Sequence, residues 1–209
     1  MINNYEVFLF DFDGTLFDTL ESSIYVFEEA YRRQGYKIRH EDILGYTREP
    51  IPISYERVTG SLDGYDEFIK SIDELVFSQK VVDMAKMYED TERTLKTLKE
   101  QNKIVGIVTS NAKEHVLDVL KKHKIEKYFD IIVGNREAST PKPSPLPILT
   151  ALKTLNYNDK EKVVYIGDAL NDALAAVNAG VKPVLLDRLQ EFKELSEYKI
   201  IESLDEIVR

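Results

Sequence analysis

Two aspartates separated by one residue, Asp11 and Asp13, follow an apolar, aromatic-rich run at residues 7–10 that is typical of a buried strand. If the extended geometry of a strand continues through the pair, both carboxylates project from the same face. Two ionised carboxylates held that close repel each other unless a cation or a proton relieves the repulsion. The pattern indicates either a divalent metal site or a pair with one charged and one protonated acid. A strand followed by an Asp-rich turn is the structural alternative.

The same stretch fits a calcium-binding loop poorly. Such a loop has Asp or Asn at its fifth position, Gly at its sixth and an acid at its twelfth. Counted from Asp11, these positions hold Thr15, Leu16 and Ser22. A calcium loop is therefore disfavoured.

Three further groups of polar residues lie at the ends of apolar runs or in a proline-rich loop. They are Thr109-Ser110-Asn111, Lys142 within residues 140–145, and Asp168 with Asp172 within residues 167–172. Each has a structural alternative. The first group could cap the next helix, the lysine could be solvated, and Asp168 or Asn171 could cap a strand-to-helix turn. Four such groups in one chain are harder to explain structurally than one.

The elements that must position these residues change in character along the chain. Asp18 is expected to cap a helix with Glu21 reaching back to it, and Gly35 is a plausible end of that helix. Apolar residues recur at helical spacing between them, at Leu20, Ile24, Phe27 and Tyr31. This pattern predicts an amphipathic helix.

The following segment is less regular. Residues 40–64 contain Gly and Pro among mixed polar residues, which predicts short helices and loops. A better helical pattern runs from Phe68 to Val76. Residues 17–85 are therefore expected to be mainly helical, with no strand.

Strands and helices alternate from about Asp90 onward. Strands are predicted at residues 104–108, 129–134, 162–168, 184–186 and 199–201, with helical patterns between the earlier ones. Such alternation implies parallel βαβ units with right-handed crossovers. We therefore predict an α/β fold, a doubly wound parallel sheet of the Rossmann type with an inserted helical segment. Ligands bind beyond the carboxyl ends of the strands in such sheets, where the four polar groups are expected to lie.

Bulk composition narrows the classes of function. The chain has 209 residues, 43% hydrophobic and 31% charged, with no cysteine and a formal charge of -9. The charge argues against broad nucleic-acid binding, and the lack of cysteine excludes disulfides and thiolate chemistry. No apolar run is long enough to span a membrane, so we expect a cytoplasmic protein with no membrane partner.

Taken together, the four polar groups resemble the four motifs of the haloacid dehalogenase superfamily, in the same order and at ordinary spacing. The first, residues 11–15, is highly specific. The resemblance implies a core domain formed by residues 1–16 and 86–209, and a small helical cap domain formed by residues 17–85.

The resemblance also implies roles for the residues. Asp11 would be the nucleophile that forms an aspartyl-phosphate, and Asp13 the general acid and then base. Thr109, with Ser110 and Asn111, would hydrogen-bond the phosphoryl group, and Lys142 would neutralise its charge.

By the same resemblance, Mg²⁺ would be the cofactor, bound by Asp11, Asp168 and the backbone carbonyl of Asp13. Asp172 would complete this acidic site directly, through water or by orienting Lys142. Oxygen ligands with retained waters suit Mg²⁺.

The resemblance favours phosphate chemistry over displacement of halide, since dehalogenases usually lack an acid where Asp13 stands. The layout is similar to phosphoglycolate phosphatases, and Arg48 falls where related caps present a substrate-facing loop; an exposed arginine with no such role is the alternative. The segment 180–187 lacks the Trp-Gly that often follows the fourth motif of phosphoglycolate phosphatases, which weakens the substrate assignment.

The expected function is thus a Mg²⁺-dependent phosphatase for a small phosphorylated metabolite, with a phosphoglycolate-like phosphomonoester favoured. A phosphomutase of the β-phosphoglucomutase type, an inorganic pyrophosphatase and a non-catalytic phosphate-binding protein are the alternatives. We expect a monomer or weak homodimer that binds no nucleic acid.

Overall fold

The computed structural model of the chain describes residues 2–40, 42–43, 51–192 and 195–209. The chain divides into two compact units. The first combines Met1–Asp18 with Met87–Arg209, and the second is Thr19–Lys86.

The strands of the described residues form two sheets. They are β1 (Val7–Phe10), β2 (Phe17–Asp18), β3 (Lys86–Met87), β4 (Ile104–Val108), β5 (Ile131–Val133), β6 (Val163–Gly167), β7 (Lys182–Leu186) and β8 (Lys199–Ile201). Six of them build a parallel sheet in the order β5-β4-β1-β6-β7-β8, and β2 pairs with β3. The first strand therefore lies at the centre of the larger sheet.

Helices of the first unit alternate with these strands. They are α5 (Thr91–Glu100), α6 (Lys113–His123), α7 (Leu146–Thr154), α8 (Leu170–Ala179) and α9 (Asp205–Val208). The residues of β1 are fully buried on both faces, as expected when helices cover both sides of a parallel sheet. One core cluster packs Leu9 and Val108 of the sheet against Ile148 of α7 and Ala176 of α8. The predicted doubly wound α/β fold is confirmed.

The second unit is helical, with α1 (Leu20–Arg33), α2 (Ile51–Thr59), α3 (Tyr65–Val76) and α4 (Gln79–Met84). Its core is a group of aromatic rings from three helices. The ring of Phe68 lies 4.4 Å from that of Tyr31 and 4.8 Å from that of Tyr55. The hydroxyl of Tyr55 donates to the carbonyl of Asp63 at 2.7 Å, so this buried polar group is satisfied.

Two local predictions about the start of the helical segment are wrong. The N-cap of α1 is Thr19 and not Asp18, because Asp18 is still extended in β2. That strand also occupies residues for which no strand was expected. A two-residue strand is too short to show any periodicity in the sequence.

Among the described residues, no helix combines the length and the apolar character required to cross a membrane. The expected cytoplasmic location, oligomeric state and absence of nucleic-acid binding stay predictions.

Candidate active site

The candidate site lies at the carboxyl end of the central strand. β1 pairs with β4 on one side and with β6 on the other, so the chain connections leave the sheet in opposite directions here. Such a switch point forms a crevice beyond the strand ends, in which α/β proteins bind ligands. Asp11, Thr109 and Asp168 each directly follow one of these three strands.

Asp11 is buried and ion-paired with Lys142. The ammonium nitrogen Nζ of Lys142 lies 2.8 Å from Asp11 Oδ1 and 2.6 Å from Asp172 Oδ1, and all three side chains are at least nine-tenths buried. Burial opposes the charge of Lys142, but the two carboxylates outweigh it and hold the pKa of the lysine well above its ordinary value. Lys142 is therefore a fixed cation between two acids from different motifs.

Tyr165 of β6 provides a third partner for the same lysine. Its hydroxyl donates to the carbonyl of Val108 at 2.8 Å and accepts from Lys142 Nζ at 3.1 Å. Together with the two carboxylates, it matches the three N–H donors of the ammonium group. The sequence motifs do not include Tyr165, which looks like an ordinary core residue of an apolar strand. The one available signal was that a buried tyrosine hydroxyl requires a partner.

Asp13 contacts a different motif residue. Asn111 Nδ2 donates to Asp13 Oδ2 at 2.6 Å. Phe12, between the two aspartates, is fully buried. Asn111 was predicted to bind substrate, and the structure brings it to the carboxylate of the predicted general acid.

Thr109 and Ser110 line a small cavity of about 40 Å³ together with Lys142. Thr109 is buried, and its Oγ1 accepts from the backbone N–H of Asn111 at 3.1 Å. The hydroxyl proton of Thr109 is consequently available for a further acceptor. Ser110 is exposed.

The helix-capping alternatives do not hold for these residues. The N-cap of α6 is Ala112, not a member of the group Thr109-Ser110-Asn111. The N-cap of α8 is Ala169, and Asp172 Oδ2 accepts from its backbone N–H at 3.1 Å. Neither Asp168 nor Asn171 is the cap.

Asp11, Asp168 and Asp172 form a cluster that could hold a metal ion. One carboxylate oxygen from each lies within 4.8 Å of the other two. Burial, reinforced by neighbouring carboxylates, raises the pKa of Asp11 well above its ordinary value and that of Asp168 to about 7. A divalent cation would relieve this excess of buried negative charge, so the donor set fits Mg²⁺.

Two glycines leave space for these carboxylates. Gly14 has a φ of +68°, and a Cβ there would collide with the carboxylate of Asp168. A Cβ at Gly167 would collide with the side chain of Asp172. Thr15, next to Gly14, donates through Oγ1 to Asp168 Oδ1 at 3.4 Å.

Arg48, the predicted substrate contact, lies outside the described residues.

A doubly wound parallel sheet with buried acids and a lysine at its switch point defines an α/β enzyme, and comparison with known proteins gives its family. The haloacid dehalogenase-like hydrolase family matches residues 8–186. The chain therefore belongs to the haloacid dehalogenase-like hydrolases.

Its relatives include the pyrophosphatase PpaX of Bacillus velezensis, 33% identical over 83% of this chain and 79% of that protein. The pyrophosphatase PpaX of Halalkalibacterium halodurans is 30% identical over 85% and 81%. A haloacid dehalogenase-like family hydrolase from Streptococcus pneumoniae shares the fold, with a TM-score of 0.82 and 22% identity over 99% of this chain and 98% of that one.

Proposed function

We propose that the protein is a Mg²⁺-dependent phosphatase that hydrolyses a small phosphorylated metabolite through an aspartyl-phosphate on Asp11. The observation that carries this proposal is the buried ion pair of Asp11 with Lys142. A carboxylate that is merely structural would not be expected beside two further acids at a ligand-binding sheet edge.

The first step requires a nucleophile that is held in place. Lys142 fixes the Asp11 carboxylate through Oδ1, and an Asp11 oxygen attacks the phosphorus atom while the bond from phosphorus to the leaving oxygen breaks. Asp13 gives its proton to that oxygen. Because Asn111 donates to Oδ2 of Asp13, the transferable proton belongs on Oδ1.

The second step returns the enzyme to its starting state. Asp13, now ionised, takes a proton from water, whose oxygen attacks the phosphorus of the aspartyl-phosphate. Inorganic phosphate leaves and the carboxylate of Asp11 is restored. The same acid therefore serves both half-reactions.

The remaining groups stabilise charge on the transferring phosphoryl group. The hydroxyl group of Thr109 donates a hydrogen bond to the phosphoryl group, and Lys142 supplies positive charge. Ser110 lies at the exposed edge of the small cavity. Fixed donors of this kind contribute most of the acceleration in phosphoryl transfer. Asn111 acts on Asp13 in this proposal, besides any contact with substrate.

Asp11, Asp168 and the backbone carbonyl of Asp13 would hold Mg²⁺, with Asp172 as a direct ligand or as the group that orients Lys142. Bound there, Mg²⁺ neutralises charge on the phosphoryl oxygens.

Pyrophosphate is a second candidate substrate beside a phosphoglycolate-like phosphomonoester. Two relatives that are at least 30% identical are named pyrophosphatases. Transfer of the phosphoryl group to a sugar hydroxyl, as in a phosphomutase, would use the same core residues and is distinguished by its product.

The proposal is tested with purified wild-type protein and Asp11→Asn on an aryl phosphate in the presence of Mg²⁺. We expect turnover by wild type and loss of at least about 1,000-fold in Asp11→Asn, because an amide cannot accept the phosphoryl group. Asp118→Asn makes the same chemical change on an exposed face of α6 and should keep full activity. Normal turnover by Asp11→Asn would overturn the proposal.

A substrate panel then separates the candidates. Catalytic efficiencies on pyrophosphate, phosphoglycolate, sugar phosphates and nucleotides are compared, and β-glucose 1-phosphate is checked for conversion to glucose 6-phosphate. A preference for pyrophosphate of about tenfold or more would assign the pyrophosphatase function. Formation of glucose 6-phosphate without release of inorganic phosphate would assign the mutase.

A further inference from the structure

Arg188 belongs to none of the four motifs, and it directly follows the segment 180–187 that departs from the phosphoglycolate phosphatase pattern. Its side chain is only 16% exposed. A guanidinium group is costly to bury unless several acceptors surround it. The structure shows where those acceptors are.

The guanidinium group of Arg188 joins two segments of the first unit. It forms a fork with Asp90, with Nη1 3.0 Å from Oδ2 and Nη2 2.9 Å from Oδ1. Nη2 also donates to the backbone carbonyl of Thr15 at 2.9 Å. The group lies over the ring of Tyr88, 3.9 Å from its centre. Bidentate and stacked contacts of this kind are specific to arginine.

Asp90 is itself held in place. Its Oδ2 accepts from Ser203 Oγ at 2.8 Å and from the backbone N–H of Leu204 at 2.9 Å, and the residue is 5% exposed. The acid that orients Arg188 is consequently a rigid support, fixed by the segment that precedes α9.

The backbone that presents Arg188 is also fixed. The Asp187 carboxylate accepts from the backbone N–H groups of Glu191 at 2.7 Å and Phe192 at 2.9 Å, and the Asp187 N–H donates to the carbonyl of Ile201 at 2.8 Å. Arg188 therefore projects from a closed turn at the end of β7.

The other end of this arrangement is the turn at residues 12–17, which begins after Asp11 and carries Asp13. Within it, Gly14 N–H donates to the carbonyl of Phe17 at 2.8 Å, and the N–H groups of Leu16 and Phe17 donate to the carbonyl of Phe12. Thr15 is fully buried, and its hydroxyl reaches Asp168 while its carbonyl is bound by Arg188. One residue thus connects the arginine to the acidic site.

We propose that Arg188 is a positioning residue for the reaction: by holding the Thr15 carbonyl against the rigid support of Asp90, it fixes the turn that carries Asp13 and sets the Thr15 hydroxyl against Asp168. The inference rests on the proposed function of Asp11 and Asp13. Arg188 would thus influence the rate of catalysis although it belongs to none of the four motifs.

A buried ion pair that only stabilises the fold is the competing explanation, and Ser203 offers the matched control. Ser203→Ala removes one donor to Asp90, but the backbone N–H of Leu204 still holds that carboxylate, so the contact of Arg188 with Thr15 stays in place. If the pair were only structural, Arg188→Ala and Ser203→Ala would differ in stability but not in the kcat of the folded protein.

The test compares wild type, Arg188→Ala, Arg188→Lys and Ser203→Ala on an aryl phosphate with Mg²⁺. We expect kcat to fall about 10- to 100-fold in both arginine variants, since a small misplacement of reacting groups costs this much. KM should change little, because Thr109 and Lys142 are untouched. Guanidinium chloride, kept far below denaturing concentrations, should restore part of the kcat of Arg188→Ala. Ser203→Ala should keep its kcat.

Amide hydrogen exchange supplies a readout that does not depend on turnover. The N–H groups of Gly14, Leu16 and Phe17 should exchange faster in Arg188→Ala than in wild type and remain protected in Ser203→Ala. If Arg188→Ala does not fold, kcat and amide exchange are measured on Arg188→Lys. Its single ammonium group cannot reproduce both the two hydrogen bonds to Asp90 and the contact with Thr15.

A folded Arg188→Ala with wild-type kcat and unchanged exchange would overturn the inference. So would a kcat of Ser203→Ala that falls as far as that of the arginine variants. Absence of turnover in wild type itself would overturn the proposed function instead, and the exchange of the three amides would still decide whether Arg188 holds the turn.

Discussion

Asp172 Oδ1 lies 2.6 Å from the ammonium nitrogen of Lys142, and this contact is shorter than the 2.8 Å between Lys142 and Asp11. Asp172 Oδ2 in turn accepts from the backbone N–H of Ala169. Both oxygens of this acid are thus engaged by the protein. Of the roles that the sequence left open for Asp172, orientation of Lys142 fits these contacts best.

This assignment predicts different defects in Asp172→Asn and Asp168→Asn. We expect Asp172→Asn to lower kcat about 100-fold, because the lysine loses one of its two anionic partners and shifts. Asp168→Asn should instead raise the Mg²⁺ concentration for half-maximal activity by about 10-fold or more. Titrations of activity with Mg²⁺ at saturating substrate distinguish the two. An equal increase in the Mg²⁺ requirement of both variants would make Asp172 a direct ligand.

The pH dependence of stability gives a second prediction. Burial and then the neighbouring Asp172 raise the pKa of Asp168 to about 7 from an ordinary value of 3.8. Between these values, the folded metal-free protein retains a proton that the unfolded chain has lost. The free energy of unfolding should therefore fall as the pH rises from about 4 to about 7, and this contribution should level off above the folded pKa.

Chemical denaturation in EDTA across this pH range measures the effect. The free energy of unfolding of Asp168→Asn should fall less steeply with pH than that of wild type. Part of the decrease should remain, because burial also raises the pKa of Asp11. Addition of Mg²⁺ should stabilise wild type most at the alkaline end, since the ion binds the ionised carboxylates. A wild-type stability that rises with pH more steeply than that of Asp168→Asn would contradict the raised pKa.

Sequence patterns predicted the parallel sheet because each of its strands contains a short apolar run, and several of these runs end in a polar residue. The runs at residues 104–108 and 199–201 match β4 and β8 in both bounds, and the fully buried Val7–Phe10 is the central strand. The polar ends then placed Asp11, Thr109 and Asp168 at one edge of the sheet. Their chemical roles stay predictions.

The same patterns could not predict contacts between distant parts of the chain. Tyr165 lies within an apolar strand, and nothing in its neighbouring sequence distinguishes it from a tyrosine that only packs in the core. Arg188 and Thr15 are 173 residues apart, and their hydrogen bond exists only once the sheet has formed. Asp18 showed a capping pattern, but strand pairing of Phe17–Asp18 displaced the start of the helix by one residue.

The contact of Tyr165 with Lys142 leads to a third prediction. Tyr165→Phe keeps the ring and removes the hydroxyl that lies between Val108 and Lys142. We expect a loss of about 1 kcal/mol in the free energy of unfolding and a fall in kcat of about 10-fold, because the lysine loses one of three acceptors.

The control for this variant is Tyr157→Phe. The Tyr157 hydroxyl donates to Glu6 Oε2 at 2.8 Å, away from the site, so its removal should cost no more in stability and leave kcat unchanged. Denaturation and steady-state kinetics on both proteins provide the comparison. Equal kcat values in the two variants would exclude a role for the Tyr165 hydroxyl in catalysis.

Gly14 and Gly35 allow the backbone cost of a substitution to be separated from its effect on the acidic site. Both have positive φ, +68° and +86°, but a Cβ at Gly35 meets no atom within 4 Å, whereas one at Gly14 would strike Asp168. Gly14→Ala and Gly35→Ala should each lose about 1–2 kcal/mol from the left-handed backbone. Only Gly14→Ala should also displace Asp168, raising the Mg²⁺ requirement and lowering kcat about 10-fold or more. Thermal unfolding and Mg²⁺ titration of activity measure both effects. Unchanged Mg²⁺ activation in a folded Gly14→Ala would show that Asp168 takes no part in holding the ion.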